Sequence, residues 1–166
     1  MIYFFHGLES GPEGSKYRAL REKHPLVKTI DFRSPEEVDL ISRNDLAGVA
    51  KIRLERALQE TAPDEEIVVV GSSMGGLVAY LLEQTGLRKV RGLVLCAPAL
   101  LRAEKILRTS CPTVVIHGTE DELLPFSETR QIALDIGAEF VEVQDNHRLT
   151  GSMEEILRAL DQVLER

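Results

Sequence analysis

The stretch Gly71-Ser72-Ser73-Met74-Gly75-Gly76 follows one apolar run and leads into another, Leu77 to Leu82. It has the pattern G-x-S-x-G, set between a predicted strand and a predicted helix. Glycines without Cβ atoms let a chain turn sharply at such a junction and hold the central serine in a strained conformation with its hydroxyl exposed. Ser73 is therefore the candidate nucleophile. The same turn aims the Met74 amide, at the positive end of the following helix, toward any oxyanion that forms beside Ser73. Alone the motif is weak: it arises by chance in roughly one chain in twenty of this length and also describes an ordinary glycine turn. A neutral serine hydroxyl further needs a base to take its proton and an acid to hold that base in the right tautomer. Asp121, in His117-Gly118-Thr119-Glu120-Asp121, and His147, in Gln144-Asp145-Asn146-His147, supply both residue types, each shortly after its own apolar run.

Other residues of suitable chemistry read differently. Asp145 stands two residues before His147, too close on one loop to reach the imidazole nitrogen that faces away from serine, so Asp121 is the preferred acid. Glu120 and Glu122 read as solvated loop charge. His6 and His117 each end an apolar run, where hydrogen bonds to their loops are the expected role. Ser72 is expected to point away from the crevice and bond within the protein. Cys96 reads as a small buried apolar residue. Cys96 and Cys111 are predicted at opposite edges of a sheet, roughly 15 Å apart at about 3.3 Å per residue and beyond disulfide reach. No Cys/His cluster has zinc spacing, so neither a metal nor a cofactor is expected.

The elements that would position these residues are legible as apolar runs bounded by Gly, Pro or Asp. Strands are predicted at Ile2 to Phe5, Val27 to Phe32, Ile67 to Val70, Gly92 to Cys96, Thr113 to Ile116 and Phe140 to Val143. Several are apolar at nearly every position, as in a parallel sheet covered on both faces. Between them lie helical stripes. Met153, Ile156, Leu157, Leu160, Val163 and Leu164 share a face, with Ser152 and Glu155 spaced as a capping box. Leu46, Ala50, Leu54, Ala57 and Leu58 form a second stripe after Asn44, and Ser127 is the predicted cap of a helix reaching Ile136. His6-Gly7 and His117-Gly118 both end strands and so belong at one sheet edge, where the crevice of an open α/β sheet forms. Segment 33–43 shows no clear period and reads either as a wall of that crevice or as plain connection. The whole chain, 1–166, is expected to form a single domain.

Serine, aspartate and histidine in this order, each after a different strand, resemble the α/β-hydrolase superfamily, specifically its small bacterial esterase-like members without a lid domain. The resemblance covers nearly the whole chain. It implies an open parallel six-stranded sheet, order 2-1-3-4-5-6, with helices on both faces. The strands that usually precede the first His-Gly are absent, and the short connection from Ala97 to Cys111-Pro112 leaves no room for a cap. It further implies that Leu8, after the first His-Gly, gives a backbone N–H to an oxyanion hole shared with Met74. The activity implied is cleavage of small carboxylic esters or thioesters through Ser73, His147 and Asp121 and an acyl-enzyme, rising as His147 loses its proton around neutral pH. An acyltransferase, an amide or peptide hydrolase, or a non-catalytic ligand-binding protein on the same fold are the alternatives.

Composition bounds the partners. Hydrophobic residues at 43% and charged residues at 28% give a globular balance. Lys plus Arg number 20 against 27 Asp plus Glu, a net charge of -7 that opposes nucleic-acid binding. No run of about 20 apolar residues could span a membrane and no signal segment is visible, so a cytoplasmic location is expected. The expected partner is a small acyl substrate, and the expected state a monomer or homodimer. Leu8, Pro98, Leu100, Leu101, Leu123, Leu124 and Phe126 are predicted to form an apolar wall for the acyl group. Glu9, Glu120 and Glu122 are predicted to disfavour anionic substrates.

Overall fold

Every side chain from Ile67 to Val70 is buried, although neighbours along a strand point to opposite faces of the sheet. Both faces must then be covered. In the computed structural model, which describes all 166 residues, the strands are β1 (Ile2–Phe5), β2 (Lys28–Ile30), β3 (Glu66–Ser72), β4 (Lys89–Cys96), β5 (Thr113–Gly118) and β6 (Glu139–Val143). They form one all-parallel sheet of order β2-β1-β3-β4-β5-β6. The helices are α1 (Ser15–Lys23), α2 (Pro35–Ser42), α3 (Leu46–Glu60), α4 (Met74–Gln84), α5 (Phe126–Asp135) and α6 (Met153–Glu165).

One sheet face presents Tyr3, Phe5, Val69, Leu95 and Val115 to α3, α4 and α5. The other presents Phe4, Val68, Val70, Val94 and Ile116 to α1 and α6. Helix α4 is apolar all round, with Leu77, Val78, Ala79, Tyr80 and Leu82 fully buried, as befits a helix enclosed between the sheet and α3 rather than an amphipathic one. No cap lies over the sheet edge: Ala97 to Pro112 holds a single turn of 3-10 helix, Leu100–Arg102. No helix is long and apolar enough to cross a membrane.

Three local expectations are corrected. Ser152 precedes α6, but its hydroxyl donates to Asp145 Oδ2 at 2.8 Å and the capping box does not form. Helix α5 starts at Phe126 after Pro125, so Ser127 lies inside its first turn and caps nothing. Segment 33–43 is neither crevice wall nor plain connection, because it contains α2. Ser34 Oγ accepts from the Glu37 N–H at 3.1 Å and Pro35 occupies the first position of that helix. Its period is hidden because the residue it buries is charged. Glu37, 3% exposed, accepts from Arg53 Nε and Nη2 at 2.6 and 2.7 Å, and Arg53 Nη1 donates to the His6 carbonyl at 2.6 Å. Helix α2 thus secures the end of β1 through a buried ion pair.

His6 and His117 end their strands at one sheet edge, fully buried. Phe32 N–H donates to His6 Nε2 at 3.1 Å, which fixes the tautomer so that Nδ1–H donates to the Gly7 carbonyl at 2.7 Å. His117 Nε2 lies 3.2 Å from the Leu124 carbonyl, and its Nδ1 has no partner. Burial, the largest influence on each ring, lowers both pKa values below the ordinary 6.5.

Two outcomes follow from these buried polar groups. Below pH 6.5 the unfolded chain binds protons at His6 and His117 that the folded chain refuses, so stability should fall as pH drops from about 6.5 toward the lowered values. A lower urea midpoint at pH 5.5 than at pH 7.5 is expected, and an equal or higher one contradicts it. Glu37→Gln leaves the buried Arg53 guanidinium without its counter-charge and should cost about 3 kcal/mol in the same titration, whereas a loss below about 1 kcal/mol would show the pair to be dispensable.

Candidate active site

Ser73 leaves β3 and precedes α4 with φ 53° and ψ -114°, a left-handed conformation that a residue with a Cβ adopts at a cost of about 1–3 kcal/mol. It is held there. Its N–H donates to the Cys96 carbonyl at 2.9 Å, and its carbonyl accepts from the amides of Gly76, Leu77 and Ala99 at 3.0, 3.2 and 3.0 Å. The positive φ falls on the serine itself, and the surrounding glycines serve by clearance. A Cβ on Gly71 would stand 2.5 Å from the Gly75 carbonyl oxygen, and one on Gly75 would stand 2.1 Å from that of Phe5. Absence of these side chains lets the end of β1 lie directly against the start of α4.

The structure brings Asp121 and His147 to this turn. His147 Nε2 is 3.0 Å from Ser73 Oγ, and His147 Nδ1 is 2.8 Å from Asp121 Oδ2. Asp121 has a fully buried side chain whose Oδ1 accepts from the amides of Leu123 and Leu124 at 2.8 and 2.9 Å. Burial pushes this carboxyl's pKa up, but hydrogen bonds from the Leu124 amide, His147 and the Leu123 amide outweigh it, and the net shift is down. Asp121 is therefore ionised at neutral pH. His117 Nε2 also stands 3.4 Å from Asp121 Oδ2, backing the carboxylate from the sheet side.

Asp145 points elsewhere. It accepts from the Asn146 and Gly151 amides at 2.8 and 2.9 Å and from the Ser152 hydroxyl, folding the loop that carries His147. Glu120 and Glu122 are exposed. Burial raises the Cys96 thiol to about 11, leaving it protonated and inert, and does the same for Cys111.

Leu8 and Met74 both lie close to Ser73, one through the neighbouring loop and the other as the next residue in the chain. A Cβ built on Gly7 would stand 3.3 Å from Ser73 Cβ, so the Gly7-Leu8 link passes beside the serine side chain. The Met74 amide opens α4, and neither it nor the Leu8 amide donates to any backbone acceptor. Leu8 lines the cavity beside Ser73, whereas Met74 is buried beneath it.

The cavity beside Ser73 and His147 has a volume of about 230 Å³. Leu8 and Leu123 are its only apolar lining residues, and Ser10, Lys16, Ser72 and Thr150 supply much of the rest. Of the predicted apolar wall, only Leu8 and Leu123 line the cavity. Leu100 and Leu124 are drawn into the core, Pro98 packs over Gly76, and the Phe126 ring meets Phe140 edge-on at 5.5 Å between centroids. Ser72 was expected to bond inward, yet it lines the cavity. Lys16, unremarked in the sequence, is 8% exposed and lines it too. The available signal was its place in the first turn of the helix that follows β1, at the carboxyl edge of the sheet. No group of three His, Cys, Asp or Glu side chains is arranged to hold a metal ion.

This geometry has relatives. Residues 44–109, which include Ser73 but neither Asp121 nor His147, match the family model described as serine aminopeptidase, S33. The α/β hydrolase domain-containing protein aho-3 of Caenorhabditis elegans is 33% identical over 82 residues, 39% of this chain, and the match spans 25% of that relative's length. A crystal structure from Xanthomonas campestris assigned to the hydrolases of the α/β superfamily is 28% identical, with a TM-score of 0.78 over 99% of this chain and 96% of that one. Mouse α/β hydrolase domain-containing protein 10 shares the fold at 18% identity, with a TM-score of 0.77 over 99% of this chain and 89% of that one. The near-complete correspondence with the Xanthomonas protein, on a capless parallel sheet whose central strand turns through a serine into a buried helix, makes this chain a member of the α/β-hydrolase superfamily.

Proposed function

We propose that the protein is a serine hydrolase that cleaves small carboxylic esters or thioesters through an acyl-enzyme. The observation that carries this reading is the continuous path from Asp121 Oδ2 through the His147 ring to Ser73 Oγ, with links of 2.8 and 3.0 Å. As Ser73 Oγ attacks the acyl carbon, its proton passes to His147 Nε2, and the Leu8 and Met74 amides receive the oxyanion. His147 then returns the proton to the departing alcohol or thiol as the bond to the acyl carbon breaks. Water, deprotonated by the same ring, releases the acid and restores Ser73. Asp121 remains a carboxylate throughout, holding Nδ1–H toward itself and stabilising the imidazolium.

A second reading, hydrolysis of an amide or peptide, is favoured by the match of residues 44–109 to the serine aminopeptidase family model. The same side chains would serve, with an amine as leaving group, and comparison of matched ester and amide substrates separates the two.

With 4-nitrophenyl acetate, Ser73→Ala should lower kcat/KM by about three powers of ten or more, and unchanged turnover would defeat the assignment. Asp121→Asn keeps the size of the group but presents an amide N–H to His147 Nδ1, favouring the wrong tautomer. It should reduce kcat by about 10³–10⁴. A loss below tenfold would show that Asp121 does not orient the base.

A further inference from the structure

The cavity beside Ser73 contains a buried cation without a carboxylate in contact. Lys16 Nζ donates to the Arg148 carbonyl, a neutral acceptor, and forms no ion pair. An ammonium removed from water in this way is costly, and it has three donors to place. Burial, the largest influence, lowers its pKa; Cys96 and Asp145 raise it from beyond contact distance, and Arg148 lowers it.

The surroundings also favour an anion. Ser10, Ser15, Ser72 and Thr150 line the same cavity. Helix α1 begins at this wall with Gly14, which provides no side-chain cap, and has no acidic residue in its first turn. The amides there add positive potential to that of Lys16. The nearby acidic groups do not cancel it. Glu9 lines the cavity but faces Arg148 at 3.6 Å on the rim, and both side chains are largely exposed. Glu120 and Glu122 are not among the lining residues. Glu9 and Glu122 border a neighbouring depression with Leu123, Asn146, His147 and Arg148, so the expected repulsion of anions is confined to that side of the imidazole, away from Lys16.

We infer that Lys16 determines specificity, and that the substrate is a small ester carrying a carboxylate, received by Lys16 Nζ and the adjoining hydroxyls while the ester carbonyl lies at Ser73. With Glu9 and Arg148 opposing one another, one positive charge is left in the cavity. It matches a single carboxylate better than a doubly charged phosphate. This inference rests on the hydrolase reading for its chemistry, but the anion site can be measured without turnover.

The test compares charged and neutral esters of similar size. With the carboxylate on the alcohol side, 4-acetoxybenzoate is paired with 4-acetoxybenzamide. With it on the acyl side, mono-4-nitrophenyl adipate is paired with 4-nitrophenyl hexanoate. In at least one pair the charged ester should have the higher kcat/KM. The charged-to-neutral ratio should fall roughly ten- to a hundredfold in Lys16→Met, the worth of one hydrogen bond to a charged group, and be partly restored in Lys16→Arg. The ratio removes any general loss of fold or activity. A neutral ester turned over as fast as its charged partner in both pairs overturns the inference, as does an unchanged ratio in Lys16→Met.

Calorimetric titration with adipamate, the monoamide of adipate, and 4-hydroxybenzoate, against adipamide and 4-hydroxybenzamide, separates this failure from that of the hydrolase reading. Binding of the anions that is lost in Lys16→Met, without turnover of any ester, supports the anion site and removes the enzymatic role. Turnover of neutral esters without such binding removes the anion site alone.

Discussion

A contact of 3.0 Å between side chains 74 positions apart constrains everything else in this molecule. Ser73 and His147 belong to loops after different strands, and a displacement of about 1 Å in either would forfeit the geometry that the proposed proton transfer needs. Each loop is therefore tied down by groups that take no part in the transfer. Ser73 is clamped at its own amide and carbonyl. The histidine loop closes around Asp145, while Leu149, fully buried with φ 53°, pins its far side. Asp121 is fixed by two backbone amides before it meets the imidazole. The two candidate aspartates have thus divided the work, one orienting the ring and the other shaping the loop that presents it.

The same division extends behind the site. Glu37 and Arg53 meet in the interior so that a guanidinium can hold the His6 carbonyl, with the Phe32 ring 5.0 Å from its carbon centre. Removing either charge would leave the other buried and unpaired. His6 ties the end of β1 to the end of β2 through the Phe32 amide. The peptide that carries Leu8 past Ser73 is consequently anchored from two directions.

What the sequence revealed follows from which forces act locally. Strands buried on both faces require apolar residues at successive positions, so β1, β3 and β5 were visible, and their parallel packing placed the functional loops at one edge. The serine turn was visible because close backbone approach demands glycine at Gly71 and Gly75. Side-chain orientation in loops was not visible. Leu100 and Leu124 could have lined the crevice or entered the core, and only the packing of α4 and α5 decides that. Ser152 had the spacing of a cap but found a stronger partner in Asp145, seven residues earlier in the chain and brought close by the loop. Helix α2 escaped notice because Glu37 is buried by an arginine distant in sequence. Lys16 was obscured for a similar reason. Its isolation from carboxylates, in a chain of net charge -7, exists only once the loops are folded around it.

The central claim is that one hydroxyl, among several serines at this crevice, is the nucleophile. Labelling with a fluorophosphonate, followed by mass mapping of the modified peptide, addresses it directly. The account predicts one phosphonyl group per chain, on Ser73. Modification of Ser72 or another residue in its place, or no modification of folded protein at all, would contradict it.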